Sequence, residues 1–92
     1  MTLVRFPSEW PDSADVDQIG ALAAFFHIAA LAWSNRAGAD GFIPDGRVLR
    51  LVPLDDPHAL VKRLVDVGLW EQRDGGWQIT EERGLLQWQY TR

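Results

Sequence analysis

The sequence predicts a small α+β domain in which three helices are followed by a two-stranded ribbon. A short amphipathic segment after Asp56 opens with Pro57 and closes on Gly68, as an α-helix does. Alternating apolar residues then flank Asp74-Gly75, a dipeptide typical of tight β-hairpins. The 92 residues are enough for one domain with a small core.

The chain is expected to begin with an irregular arm. Residues 1–14 contain two prolines and no sustained periodicity, and Trp10 is expected to anchor them on the body of the domain. A first helix is predicted over residues 15–37, because Asp15 and Gln18 have the spacing of a capping box.

This first helix is predicted to be apolar over a wide surface. Its main stripe comprises Ile19, Leu22, Phe26, Ala30 and Trp33. A neighbouring stripe comprises Phe25, Ile28 and Leu31. Such a helix is either central to the fold or buried at a second contact, for example in a dimer. Its most apolar stretch, residues 21–33, is shorter than the ~20 residues of a membrane span, so no membrane association is expected.

Two shorter elements should follow. Residues 42–44 are predicted to form a very short strand that is limited by Pro44. A second helix is predicted over residues 45–52, with Asp45 as its cap and Pro53 as its stop.

The third helix, over residues 57–67, has the clearest boundaries, with Asp56 as N-cap and Gly68 at its end. Its buried stripe should comprise Leu60, Val61, Leu64 and Val67. Its outer face should comprise His58, Ala59, Lys62, Arg63 and Asp66.

A hairpin is predicted over residues 69–80. A turn at Asp74-Gly75 would place Trp70, Trp77 and Ile79 on one face. A turn at Gly75-Gly76 is the alternative, and the first register is preferred because it groups the aromatic residues. The last segment, residues 81–92, is predicted to contain a short helix capped by Thr80.

The predicted elements follow the order of a winged helix-turn-helix domain: a long helix, a short strand, two further helices and a hairpin. Residues 10–80 resemble the winged-helix domain at the amino terminus of many small bacteriophage and actinobacterial proteins, including phage replication-initiation proteins. The motifs that carry this resemblance are Trp33-Ser34-Asn35-Arg36, Asp40-Gly41-Phe42-Ile43, and Leu64-Val65-Asp66-Val67-Gly68-Leu69-Trp70. The resemblance implies a phage or prophage DNA-binding protein, acting in regulation or as a replication accessory factor, and working as a dimer.

In such a domain the third helix enters the major groove and the wing touches the DNA backbone or minor groove. The expected DNA-binding residues here are therefore Arg47, Arg50, His58, Lys62, Arg63 and Arg73. Charge argues in the opposite direction. The net charge is −4, whereas phosphate neutralisation supplies most non-specific affinity for DNA. Asp55, Asp56 and Asp66 lie among the expected contacts.

The alternative function is a protein-interaction module that reuses the fold to bind a host or phage protein without binding DNA. Phe25, Trp88 and Tyr90 are its candidate interface residues, because exposed aromatic side chains commonly anchor interfaces. A third hypothesis is an acidic mimic of DNA, although a net charge of −4 is modest for that role.

No enzyme, cofactor or metal site is expected. The chain has no cysteine and only two histidines, and no nucleophile triad or phosphate-binding loop is recognisable. His27, inside the apolar first helix, is expected to be a packed and hydrogen-bonded core residue. The amino terminus lacks the pattern of a signal peptide, so a cytoplasmic location is expected, in the host cell if a phage encodes the protein.

Overall fold

The structure, a computed structural model, describes residues 3–89. Within this range it contains three α-helices and one antiparallel three-stranded sheet, as the α+β prediction requires. The helices are α1 (Ala14–Ala37), α2 (Asp45–Leu51) and α3 (Pro57–Val67). The strands are β1 (Phe42–Pro44), β2 (Trp70–Arg73) and β3 (Gly76–Ile79), with β3 in the centre of the sheet.

The start of α1 differs from the prediction. Ser13 is the N-cap, and its hydroxyl oxygen accepts a hydrogen bond from the backbone N–H of Val16 at 3.3 Å. The predicted capping box of Asp15 and Gln18 is therefore wrong, since Asp15 already lies inside the first turn. There its carboxylate accepts a hydrogen bond from Arg83 at 2.6 Å, which joins the end of the chain to the start of α1.

Within α1, one residue has a non-helical backbone, and one residue of the predicted buried stripe is exposed. Gly20 has φ 84° and ψ 162°, a conformation that essentially only glycine adopts. Ile19 and Phe26 are fully buried, but Leu22, which was predicted on the same stripe, is 53% exposed. The prediction was wrong at Leu22 because the buried face is centred on Ala23, Ala30 and Ser34, and Leu22 lies about 100° around the helix from that centre.

The buried face of α1 after Gly20 comprises Ala23, Phe26, His27, Ala30, Leu31 and Ser34. This face packs mainly against α3. At 24 residues, with a mean hydropathy of 1.4 in its most apolar window, α1 is long and apolar enough to cross a membrane by length and composition. The core helices of soluble proteins pass the same test, and one-third of that window is buried inside the domain.

The boundaries of α3 confirm the prediction, and those of α2 correct it. Asp56 caps α3 by accepting a hydrogen bond from the N–H of Ala59 at 3.3 Å. Asp45 does not cap α2, because it is the first helical residue and follows Pro44. Its backbone N–H instead donates to the carbonyl of Gly75 at 2.9 Å, and so ties α2 to the hairpin turn.

The hairpin forms in the predicted register. Trp70 lies opposite Ile79, and Gln72 lies opposite Trp77, around a turn at Asp74-Gly75. The alternative turn at Gly75-Gly76 is thereby excluded. Trp70 and Ile79 are buried while Trp77 is half-buried, so the shared face points to the core.

One buried hydrogen bond links the hairpin to α1. Trp70 Nε1 donates to His27 Nδ1 at 2.8 Å, and the ring of Phe26 lies 5.8 Å from that of Trp70. Trp10 is 8% exposed and packs on the other side of His27, with their ring centroids 5.8 Å apart. Trp10 therefore anchors the amino-terminal arm, as predicted, and lies in a short 3-10 helix (Trp10–Asp12).

The carboxyl-terminal segment does not form the helix predicted after Thr80. It makes a tight turn and then a 3-10 helix over Leu86–Trp88. The Thr80 hydroxyl accepts from the N–H of Gly84 at 2.9 Å and lies within hydrogen-bond distance of two carbonyl oxygens, those of Gly68 and Leu69. These contacts favour the turn over a helical first turn.

Gly84 is required at this turn, because a Cβ there would overlap the carbonyl oxygen of Leu69 and lie 2.6 Å from that of Thr80. We expect Gly84→Ala to lower the free energy of unfolding by about 1–3 kcal/mol, the usual cost of overpacking. Gly46→Ala is the matched control, since open space surrounds Gly46 within α2. Alanine there should raise stability by about 0.5–1 kcal/mol. Urea denaturation of both variants measures the difference, and equal stabilities would contradict the prediction.

Candidate nucleic-acid interface

The outer face of α3 is accessible along its whole length. The five residues predicted for it, His58, Ala59, Lys62, Arg63 and Asp66, are all exposed. The opposite face buries Leu60, Val61 and Leu64. The amphipathic pattern of α3 therefore presents one polar surface without disturbing the core.

The start of α3, the start of α2 and the hairpin turn meet at one place. His58 Nε2 lies 3.3 Å from Asp45 Oδ1, and the ring of His58 lies 5.7 Å from that of Trp77. The bond from Asp45 N–H to the Gly75 carbonyl completes the junction. The outer face of α3 and the hairpin consequently form one continuous surface, which the sequence suggested only through the order of its elements.

Two of the predicted DNA-binding cations on this surface have carboxylate partners. Lys62 Nζ lies 3.2 Å from Asp66 Oδ2, one helical turn away. Arg73 Nη2 lies 2.6 Å from Oε2 of Glu71, which is on the same strand. Both pairs are largely solvated, and exposed ion pairs of this kind contribute ~0–1 kcal/mol. Each cation can therefore exchange its carboxylate partner for a DNA phosphate at a low cost in free energy, although the carboxylate remains close by.

Arg63 is directed towards α1 and not only outwards. One guanidinium nitrogen, Nη1, donates to the carbonyl of Ile19 at 3.4 Å. That carbonyl precedes the break at Gly20. Arg63 is therefore partly a structural residue, and the sequence analysis missed this role. Gly20 in the middle of an apolar helix was the signal that could have revealed it.

The two arginines of α2 have different surroundings. The guanidinium of Arg47 lies 5.2 Å from the centre of the Trp33 ring on α1, in cation–π contact, and Arg47 is half-buried. Arg50 is exposed and has no ion-pair partner within residues 3–89. Of the six predicted DNA-binding residues, Arg50 is thus the most available to an external anion.

Two of the three candidate partner-interface residues lie within the described part of the chain, and both are exposed. Phe25 is 60% exposed on α1, and Trp88 is 40% exposed in the last 3-10 helix. Tyr90 lies outside the described residues. Leu22 on α1 and Leu49 on α2 are also exposed, and the sequence analysis did not single them out as interface residues.

His27 is a core histidine. Because its Nδ1 accepts a hydrogen bond from Trp70 Nε1–H, the proton of the neutral imidazole resides on Nε2. Burial lowers the pKa of His27 to about 4, and the backbone of Gly84 opposes this effect in part. No group among residues 3–89 forms a hydrogen bond of good geometry with Nε2. In the same range, no three His, Asp or Glu side chains lie close enough to hold a metal ion.

No protein-family model matches this chain, and no curated protein and no solved structure matches it either. A function has therefore to be inferred from the residues and their geometry.

The pKa of His27 leads to a pH-dependent stability. The unfolded chain binds a proton at this residue below about pH 6.5, whereas the folded chain does not until about pH 4. Stability should therefore fall as the pH is lowered between these values, by up to ~3 kcal/mol from this residue. Urea denaturation across this range should show a steeper loss of the free energy of unfolding for the wild type than for His27→Asn. This variant retains all the carboxylates, so the difference between the two isolates the contribution of His27.

An NMR titration supplies a second measurement if His27→Asn does not fold. The imidazole resonances of His27 should stay constant until the pH approaches 4. Titration of His27 near its ordinary pKa of 6.5 in the folded protein would contradict the assignment.

Proposed function

We propose that this chain is a winged-helix protein that binds duplex DNA, with α3 in the major groove and the β2–β3 hairpin as the wing. The observation that carries the proposal is the continuous exposed surface formed by the outer face of α3 and the hairpin turn, joined at Asp45. A helix in the major groove needs such an accessible face, and a wing needs to lie beside it. The resemblance of residues 10–80 to phage winged-helix domains supports a role in phage regulation or replication.

The proposal has an electrostatic consequence. Contact with DNA requires Lys62 and Arg73 to exchange Asp66 and Glu71 for phosphate, and these carboxylates then repel the DNA. With a net charge of −4, binding should be weak and strongly dependent on salt. Arg50, which is exposed, should contribute at least as much as either paired cation.

A protein-binding module that does not bind DNA is the second candidate function. The observation that favours it is the same pairing of surface cations with carboxylates, which leaves the surface of α3 close to neutral. The two candidates differ in what happens when the carboxylates are removed.

We expect Lys62→Ala, Arg50→Ala and Arg73→Ala each to weaken DNA binding about fivefold and to reduce the salt slope by about one. Asp66→Asn and Glu71→Gln should strengthen binding, because they remove the competing carboxylates. Fluorescence anisotropy at low salt, with duplexes of varied sequence and fragments of the encoding genome, measures these changes. Arg5→Ala is the control, since this exposed arginine lies in the amino-terminal arm and uses only backbone atoms in its hydrogen bonds with Gln89.

A flat binding curve for both the wild type and the Asp66→Asn/Glu71→Gln double variant would overturn the DNA proposal and leave the protein-binding function. Equal effects of Arg5→Ala and Lys62→Ala would also count against it, because they would indicate attraction by total charge and not by the surface of α3.

A further inference from the structure

The outward face of α1 is largely apolar, and within residues 3–89 its large apolar side chains are exposed while Ala29 and Ala32 are half-buried. After the break at Gly20, the residues on this face are Ala21, Leu22, Phe25, Ala29, Ala32 and Arg36. We refer to them as the α1 strip. Leu22 and Phe25 are 53% and 60% exposed, which is unusual for large apolar side chains in the middle of a long helix.

The α1 strip is bounded on both sides by other parts of the domain. On one side, the Asn35 side-chain amide donates to the carbonyl of Leu3 at 3.0 Å and to Gln89 Oε1 at 3.1 Å. On the other side, Arg47 of α2 covers Trp33. The strip is therefore a defined surface along one helix.

We propose that the α1 strip is the interface of an antiparallel homodimer, in which the strip of one copy packs on the strip of a second copy about a two-fold axis near Ala29. This interface requires no DNA and is independent of the function proposed above.

Charge supports a second copy as the occupant. No Asp, Glu, Lys or Arg occurs from Gln18 to Asn35, so two copies can approach without bringing like charges together. The helix has acidic residues in its first turn and Arg36 in its last turn. Antiparallel pairing brings the basic end of each copy towards the acidic end of the other, whereas parallel pairing brings like ends together.

Side-chain size supports the same arrangement. The large residues Leu22 and Phe25 occupy one half of the α1 strip, and the small residues Ala29 and Ala32 occupy the other half. In an antiparallel pair, Phe25 of each copy fits over the small residues of the other copy, which permits close helix packing. In a parallel pair, the phenyl rings would face each other and the alanines would leave voids.

A lipid surface fits this face less well. The inner face of α1 is held in the core, so the helix cannot leave the domain without exposing Phe26 and Leu31. Two cations lie in or beside the α1 strip, Arg36 and Arg47, but the chain as a whole carries −4, which opposes binding to anionic lipid.

Sedimentation analysis of the full chain tests the dimer. The wild type should form dimers, and Phe25→Lys should raise the dimer dissociation constant about thirtyfold or more, as for an interface hot spot. Leu49→Lys is the matched control, because Leu49 is 59% exposed but lies on α2. Circular dichroism checks that both variants fold. A monomeric wild type, or a Phe25→Lys variant as dimeric as the wild type, would overturn the proposal.

Single-cysteine variants test the orientation, and the chain contains no native cysteine to interfere. Ala29→Cys should form a disulfide with its own copy because it lies near the axis. Ala21→Cys and Arg36→Cys should cross-link to each other when mixed, and neither should cross-link efficiently alone. Efficient self-cross-linking of Ala21→Cys and Arg36→Cys would overturn the antiparallel arrangement.

Flotation with phosphatidylglycerol vesicles tests the membrane alternative. The wild type should not float with the vesicles. Flotation that is abolished by Phe25→Lys, together with a monomeric protein in solution, would overturn the dimer and indicate a lipid-facing strip. A dimer that binds no DNA would leave this inference intact and overturn only the proposed function.

Discussion

The fold depends on the buried hydrogen bond from Trp70 Nε1 to His27 Nδ1. It joins the first residue of β2 to the middle of α1, so it sets where the hairpin lies relative to the longest helix. Because only Gly68 and Leu69 separate β2 from α3, the same bond restricts the position of α3. A neutral imidazole is needed as acceptor, and burial keeps His27 neutral at physiological pH. Trp10 packs against His27, and Phe26 packs against Trp70.

On the outer surface of α3 and the hairpin, carboxylates compete with DNA phosphates for the same cations. The cations of α3 and the hairpin have partners on their own elements, as in Lys62–Asp66 and Arg73–Glu71. These pairs contribute little to stability, so their main effect is on the surface field. Because of these pairs, each cation must exchange a carboxylate for a phosphate when it binds DNA. Variants that lack the carboxylates therefore distinguish a DNA-binding protein from a protein-binding module.

The two faces of α1 have different roles. The carbonyl of Ile19, which precedes the non-helical Gly20, accepts a hydrogen bond from Arg63, while Leu22 and Phe25 lie on the exposed side of the helix. α1 thus engages a predicted DNA-binding arginine through the Ile19 carbonyl and carries the α1 strip on its exposed face.

Local signals in the sequence determined the α+β class, the boundaries of α3, the hairpin register and the buried position of His27. Caps, tight turns and alternation act over a few residues, so they can be read without knowing the neighbours. Only the tertiary structure decided the elements that depend on distant partners. Ser13 caps α1, and the carboxylate of Asp15 instead binds Arg83 from the other end of the chain. The turn after Thr80 depends on the carbonyl groups of Gly68 and Leu69. The candidate site divides in the same way: sequence periodicity identified the exposed face of α3, but the partners of Arg47 and Arg63 lie on α1, far away in the chain, where no local pattern could indicate them.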